Sequence, residues 1–154
     1  MRTQSICLAL TIVLLCSLAS AQWVQTNGPY GGTVSTIAVS GTSLFVGTDN
    51  GVYLSTNSGG NWTPVSSGLT TTSVLCLAVS GTNTFAGTGG GGVFLSTNNG
   101  TNWSAVKSGL TNPVVRALVV SDTNLFAGTD GGGVYLSTNR GTSWTAVKIG
   151  RAHV

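Results

Sequence analysis

Few side chains in this sequence can do acid–base, nucleophilic or metal chemistry. There are three aspartates (Asp49, Asp122 and Asp130), no glutamate, one histidine at His153, and three cysteines. Cleaving a glycosidic bond normally calls for two carboxyl groups about 5–9.5 Å apart, one of which holds a proton near neutral pH. Asp49 and Asp130 occupy one position of an internal repeat, and Asp122 takes the place of Gly41 and Gly81 in another. All three are therefore expected in solvated turns, ionised, with no general acid among them. A calcium site needs six to eight oxygen ligands, more than such turns offer. No catalytic residue, metal ligand or cofactor site is expected. The glycine tracts Gly89-Gly90-Gly91-Gly92 and Gly131-Gly132-Gly133 are not phosphate loops: neither opens a helix, and no Lys-Ser/Thr or acidic ribose ligand follows.

The cysteines are settled by export. Arg2 precedes an apolar run over 6–18 that ends in Ala19-Ser20-Ala21, the small-x-small pattern of a signal peptidase site. Residues 1–21 read as a signal peptide, the mature chain begins at Gln22, and the product is secreted or held at the cell surface. Later apolar runs fall short of the roughly 20 residues a membrane span needs. Cys7 and Cys16 leave with the signal, so Cys76 has no intrachain disulfide partner. Lys107, Lys148, Arg116, Arg140 and Arg151 then stand against three aspartates. That balance is no nucleic-acid footprint.

The elements that position these side chains are set by a repeat of about 41 residues, a period that marks repeat architecture. Trp62, Trp103 and Trp144 lie 41 residues apart. Each closes a Ser-Thr-Asn-x-Gly-x-x-Trp run: Ser55, Asn57, Gly59 and Trp62; Ser96, Asn98, Gly100 and Trp103; Ser137, Asn139, Gly141 and Trp144. Phe45, Phe85 and Phe126 recur as Phe-x-Gly-Thr, and Val39, Val79 and Val120 recur with them. Each period holds four β-prone runs, in the second copy 74–80, 84–88, 93–96 and 103–108. Four strands in about 41 residues describe a propeller blade. The first run, Val74-Leu75-Cys76-Leu77-Ala78-Val79, is almost wholly apolar, as suits an inner strand covered on both faces. The fold class is thus all-β, a propeller fragment of about three four-stranded blades. The glycines are assigned to the hairpin turns, where positive φ is needed. Each tryptophan is assigned to fastening the turn to its own blade, in preference to a sugar-binding platform.

The Ser-Thr-Asn-x-Gly-x-x-Trp element resembles the Asp-box, or BNR repeat, whose usual pattern is S-x-D-x-G-x-x-W. The resemblance spans all three periods and implies a β-propeller in which the box is the turn between the third and fourth strands. Its acidic side chain there bonds turn amides, and its aromatic packs into the blade. Asn57, Asn98 and Asn139 stand at the acidic position, where the amide oxygen can still accept those bonds. Sialidases, xyloglucan-active glycosidases, sortilin-type receptors and photosystem II assembly factors share the repeat. This chain is most similar to the secreted bacterial relatives of the last group. A sialidase-type active site would need an arginine cluster and a Tyr/Glu pair, and a chain without glutamate does not supply it. The expected role is a non-catalytic binding or scaffold module for a protein or glycan partner. The alternative is a glycan hydrolase whose catalytic residues lie in further blades.

The organisation expected is a signal peptide (1–21), an outer strand and linker (22–33), three blades (34–73, 74–114 and 115–148) and a non-native tail (149–154). The tail Ile149-Gly150-Arg151-Ala152-His153-Val154 departs from the repeat and resembles a translated sequencing adapter, so the reading frame is expected to be truncated. Trp23 to Gly28 can be laid over the fourth strand that begins at Trp62, as an orphan outer strand. Two repeat positions vary in polarity, Ser35/Leu75/Arg116 and Ser58/Asn99/Arg140. Variable positions on a constant scaffold are where recognition can reside.

Overall fold

The computed structural model describes residues 25–30 and 32–147. The signal segment, Trp23, Lys148 and the tail lie outside the described residues. Twelve strands follow one another without a helix among the described residues: β1 (Val34–Ser40), β2 (Ser43–Thr48), β3 (Gly51–Ser55), β4 (Thr63–Pro64), β5 (Val74–Ser80), β6 (Asn83–Thr88), β7 (Val93–Ser96), β8 (Ser104–Ala105), β9 (Val115–Ser121), β10 (Asn124–Thr129), β11 (Gly133–Ser137) and β12 (Thr145–Val147). They form three antiparallel four-stranded sheets with the simple orders β1-β2-β3-β4, β5-β6-β7-β8 and β9-β10-β11-β12. The first strands lie side by side, β1 against β5 and β5 against β9. They form the inner row of the stack.

The expected outer run 103–108 is shorter in the structure. The strand ends at Ala105, one further ladder bond follows from Val106 N to Val93 O at 2.8 Å, and the chain then turns: Leu110 N donates to Lys107 O at 2.9 Å, and Gly109 takes φ 82°. The hairpins between second and third strands are held by the threonine of Phe-x-Gly-Thr. Thr48, Thr88 and Thr129 Oγ1 donate to Gly51, Gly92 and Gly133 O at 3.0, 2.9 and 2.9 Å. The turn joining β9 to β10 carries Asp122 at φ 54°, where Gly41 and Gly81 show 59° and 60°. Asp tolerates this left-handed conformation better than most side chains.

Two apolar cores fill the gaps between sheets. The first joins Phe45 and Val52 of one sheet to Val74, Leu77, Ala86, Phe94 and Trp103 of the next. The second joins Cys76, Ala78, Phe85 and Val93 to Val115, Leu118, Leu125, Ala127, Tyr135 and Trp144. Each sheet therefore has a leaving face, turned toward the sheet after it, and an entering face, turned toward the sheet before it. This spacing gives glycine a second role beside the hairpin turns, within the second strands, where the run 84–88 already placed Gly87. Gly47 and Gly87 sit inside β2 and β6, without positive φ, where the sheets approach most closely. A Cβ on Gly47 would stand 2.5 Å from Val74 Cγ1 and 2.6 Å from Thr36 Cγ2. At Gly87 it would overlap Cys76 Sγ and stand 2.7 Å from Val115 Cγ1.

Candidate functional site

The Ser-Thr-Asn-x-Gly-x-x-Trp segments form the turns between third and fourth strands, and the three copies share one hydrogen-bond pattern. Ser55, Ser96 and Ser137 Oγ donate to Asn57, Asn98 and Asn139 Oδ1 at 3.0, 2.9 and 2.9 Å. The same hydroxyls accept from Gly59, Gly100 and Gly141 N at 2.9, 2.9 and 2.8 Å. The Asn Oδ1 atoms also accept from Asn61, Asn102 and Ser143 N at 2.8, 3.0 and 2.9 Å. One side-chain oxygen thus accepts two bonds, which a carboxylate or an amide can both do. Ser58, Asn99 and Arg140 adopt φ near 55° (56°, 53° and 56°), and the following glycine continues left-handed. This variable position is therefore an exposed tip of a strained turn.

The Trp62 and Trp144 rings lie against Gly59 and Gly141 of their own turns, and Trp144 packs with Leu125, Ala127 and Tyr135 of its own blade. Trp103 and Trp144 also cross to the blade before, a contact the sequence did not suggest. Trp103 Nε1 donates to Val65 O at 2.7 Å, and Trp144 Nε1 donates to Val106 O at 2.8 Å. Their backbone amides reach back as well, Trp103 N to Ser67 O and Trp144 N to Ser108 O, both at 2.8 Å. Gly68 and Gly109 lie against this backbone so closely that a Cβ would overlap the Trp103 and Trp144 carbonyls. The turn glycines complete the joint. Gly100 packs on Val65 and Gly141 on Val106. The ring is the larger part of each joint, and burying an aromatic of this size is worth a few kcal/mol, about 1.5–3 for a large apolar side chain.

Trp62 has no such joint among the described residues. Its Nε1 is buried without a hydrogen-bond partner. Thr26 takes the seat beside Gly59 that Val65 and Val106 take beside Gly100 and Gly141. Residues 25–30 form no strand. They leave a groove of about 380 Å³ lined by Asn27, Gly28, Pro29, Tyr30, Tyr53, Asn61 and Trp62.

The titratable residues are dispersed. Asp49 Oδ1 accepts from Thr33 N at 3.0 Å, ending the linker at the β2–β3 turn. Asp130 Oδ2 pairs with Arg116 Nη2 at 2.7 Å on the surface, with both side chains more than half exposed. No group of three or more His, Cys, Asp or Glu stands together among the described residues. Cys76 is buried, its Sγ 3.6 Å from Val115 O, and desolvation pushes its thiol from 9.0 up to about 12. A thiol held in that form is a small apolar filler, not a nucleophile. Thr36 and Ala117 hold the same repeat position.

The variable position Ser35/Leu75/Arg116 coincides with the bulge that opens each inner strand, where the ladder slips by one residue. The sequence showed its variability and not the bulge. Because each first strand begins opposite the end of the second, this position shares one end of the blades with Asp49, Gly89 and Asp130. The Trp-bearing turns lie at the other end.

No family model and no curated relative matches the chain. Solved structures do. An ancestral GH74 enzyme superposes with a TM-score of 0.65 at 26% identity, over 78% of this chain and 19% of the enzyme. YCF48 from Cyanidioschyzon merolae gives 0.67 at 19% identity, over 82% of this chain and 40% of YCF48. YCF48 bound to D1 peptide gives 0.57 at 16% identity, over 74% and 40%. The chain spans about a fifth of that GH74 enzyme's length and two fifths of YCF48. Three four-stranded meanders stacked through their inner strands, in the arrangement shared with these structures, make the described residues a three-bladed, all-β stretch of β-propeller.

Proposed function

We propose that this chain is a secreted, non-catalytic propeller module that binds a protein or glycan partner, with residues 1–21 as its export signal. One observation carries the reading: every carboxylate of the sequence is committed to a turn or to the surface. Asp49 caps the linker amide of Thr33, Asp130 pairs with Arg116, and Asp122 holds a left-handed turn position. Asp49 and Asp130 occupy equivalent turns of the first and third blades, and Asp122 lies in a turn at the opposite end of the third. With no glutamate in the sequence, nothing supplies the paired acid and base of glycoside hydrolysis. The Ser-Thr-Asn turns act as Asp-box equivalents, structural joints with an amide in place of the acid.

Recognition is assigned to the bulge end of the blades. There Ser35, Leu75 and Arg116 change polarity from blade to blade beside Asp49, Gly89 and Asp130. A peptide partner is favoured by the YCF48 structure that carries D1 peptide. The test is a peptide and glycan array probed with residues 22–154, followed by Leu75→Ala and Arg116→Ala variants against the best ligand. The reading expects weaker binding in both variants and no product from sialosides or β-glucans. Turnover that disappears in Asp122→Asn would overturn it.

A further inference from the structure

Two positions of each blade adjoin at the bulge end: the bulged residue of the first strand and the first residue of the hairpin after the second strand. In the third blade they are Arg116 and Asp130, whose Nη2 and Oδ2 stand 2.7 Å apart, so this aspartate is neutralised within its own blade. In the first blade they are Ser35 and Asp49. Asp49 gives Oδ1 to the Thr33 amide at 3.0 Å and has no ion-pair partner among the described residues. Its charge is exposed and uncompensated because serine stands where the third blade has arginine. In the second blade the two positions are Leu75 and Gly89. Leu75 Cδ1 lies 3.8 Å from where a Gly89 Cβ would stand, and nothing comes within 4 Å of a Cβ on Gly90. Glycine at this hairpin therefore sets no carboxylate beside the half-buried leucine, and Gly89 and Gly90 are both exposed.

The inner strands lie in the order β1, β5, β9, so the bulge end presents the uncompensated carboxylate of Asp49, then Leu75 beside bare glycine backbone, then the closed Arg116–Asp130 pair. We infer that the partner of this surface is an extended peptide segment carrying a basic side chain for Asp49 and an apolar one for Leu75, an inference that rests on the recognition surface proposed above. Complementarity of sign selects the cation, since the excess charge of the row is negative and sits at Asp49. Leu75 offers apolar area that a second apolar side chain would remove from water. Arg116 meets Asp130 through one nitrogen, with both side chains more than half exposed, so its other N–H groups stay open to the carbonyls of a peptide backbone. A segment that reaches from the first blade to the third must be extended, and alternate side chains then face the blades. A glycan fits less well. None of these six positions is aromatic, so a sugar ring has no flat face to rest on, and a neutral sugar brings no cation to Asp49.

The test is selection from a random peptide pool on immobilised residues 22–154, with a glycan array beside it, followed by fluorescence anisotropy of the best peptide. Retained peptides should be enriched in Lys or Arg together with Leu, Ile, Val or Met. Asp49→Asn removes the charge and keeps an amide oxygen to accept from Thr33 N, so the circular dichroism spectrum should not change. It should weaken the best peptide about threefold and flatten the salt dependence of binding. Asp122→Asn is the matched control. It removes one negative charge at the opposite end of the blades, from a left-handed turn position that Asn also tolerates, and should leave binding unchanged. Leu75→Ala should weaken the peptide about tenfold. Retained peptides poor in basic residues, an Asp49→Asn effect no larger than that of Asp122→Asn, or a Leu75→Ala variant that binds like the parent would each overturn the inference and leave a binding module standing. Capture of glycans and no peptide would do the same. Capture of neither would overturn both the inference and the proposed function.

Discussion

The close approach of the second and third blades at Gly87 makes a quantitative prediction. A Cβ there would overlap Cys76 Sγ and stand 2.7 Å from Val115 Cγ1, about 1 Å inside the ~3.5–4.0 Å optimum for carbon contacts. Both neighbours belong to the packed core between the blades, so the strain has no free side-chain end to absorb it. Overpacking of this kind costs about 1–3 kcal/mol. Replacing a strand glycine by alanine returns about 0.5–1 kcal/mol of chain entropy. Gly87→Ala is therefore expected to destabilise the fold by about 1–2 kcal/mol. The assay is the urea midpoint at unchanged m-value, with Gly128→Ala as the matched control in dilute, monomeric protein. In the control the same substitution meets only Ala117 Cβ at 3.6 Å and should be neutral or slightly stabilising. Cys76→Ala in the Gly87→Ala background should recover part of the loss, a coupling readable in a double-mutant cycle. Equal midpoints for Gly87→Ala and Gly128→Ala would refute the claim that the inner-strand glycines set the spacing between blades.

Further outcomes concern the joints, the turns and the thiol. Trp103→Phe removes the bond to Val65 O and leaves that carbonyl unpaired, costing about 1–3 kcal/mol, whereas Trp62→Phe removes an unpartnered donor and should cost the dilute monomer less than about 0.5. Thermal melts of the two variants side by side decide this. Asn98→Asp keeps both accepted bonds and should stay within about 0.5 kcal/mol of the parent, whereas Asn98→Ala loses both and should fall by about 1–2 kcal/mol in urea unfolding. Cys76 is held neutral in the fold, with its pKa raised from 9.0 to about 12. The unfolded thiol ionises first, so stability should be flat below about pH 9 and fall by about 1.4 kcal/mol per pH unit between 9 and 12. Cys76→Ala should remove that part of the alkaline slope in urea midpoints, and an unchanged slope would speak against the burial of the thiol.

The blades were legible in the sequence because a repeat displays its own alignment. The Trp62, Trp103 and Trp144 spacing fixed the period, and the apolar run at Val74 marked the inner strand. The direction in which a repeated residue points was not legible. Trp103 and the carbonyl it meets at Val65 are 38 residues apart, nearly one period, and periodicity alone does not distinguish the blade before from the blade itself. The same limit hid the packing of Gly47 and Gly87. The run 84–88 put Gly87 in a strand but not against a neighbour, because the side chains these glycines meet, Val74 and Val115, lie on the next blade. The candidate recognition position was visible as variability at Ser35, Leu75 and Arg116, but the bulge that displays it depends on strand register, which only the paired strands reveal.

The assignment of a non-catalytic binding module is tested most directly by the fate of a captured ligand. Residues 22–154 would be incubated with the best array ligand, and the bound fraction recovered and weighed by mass spectrometry. The account predicts a ligand that is retained and recovered at its original mass. A recovered ligand shortened by hydrolysis would contradict it.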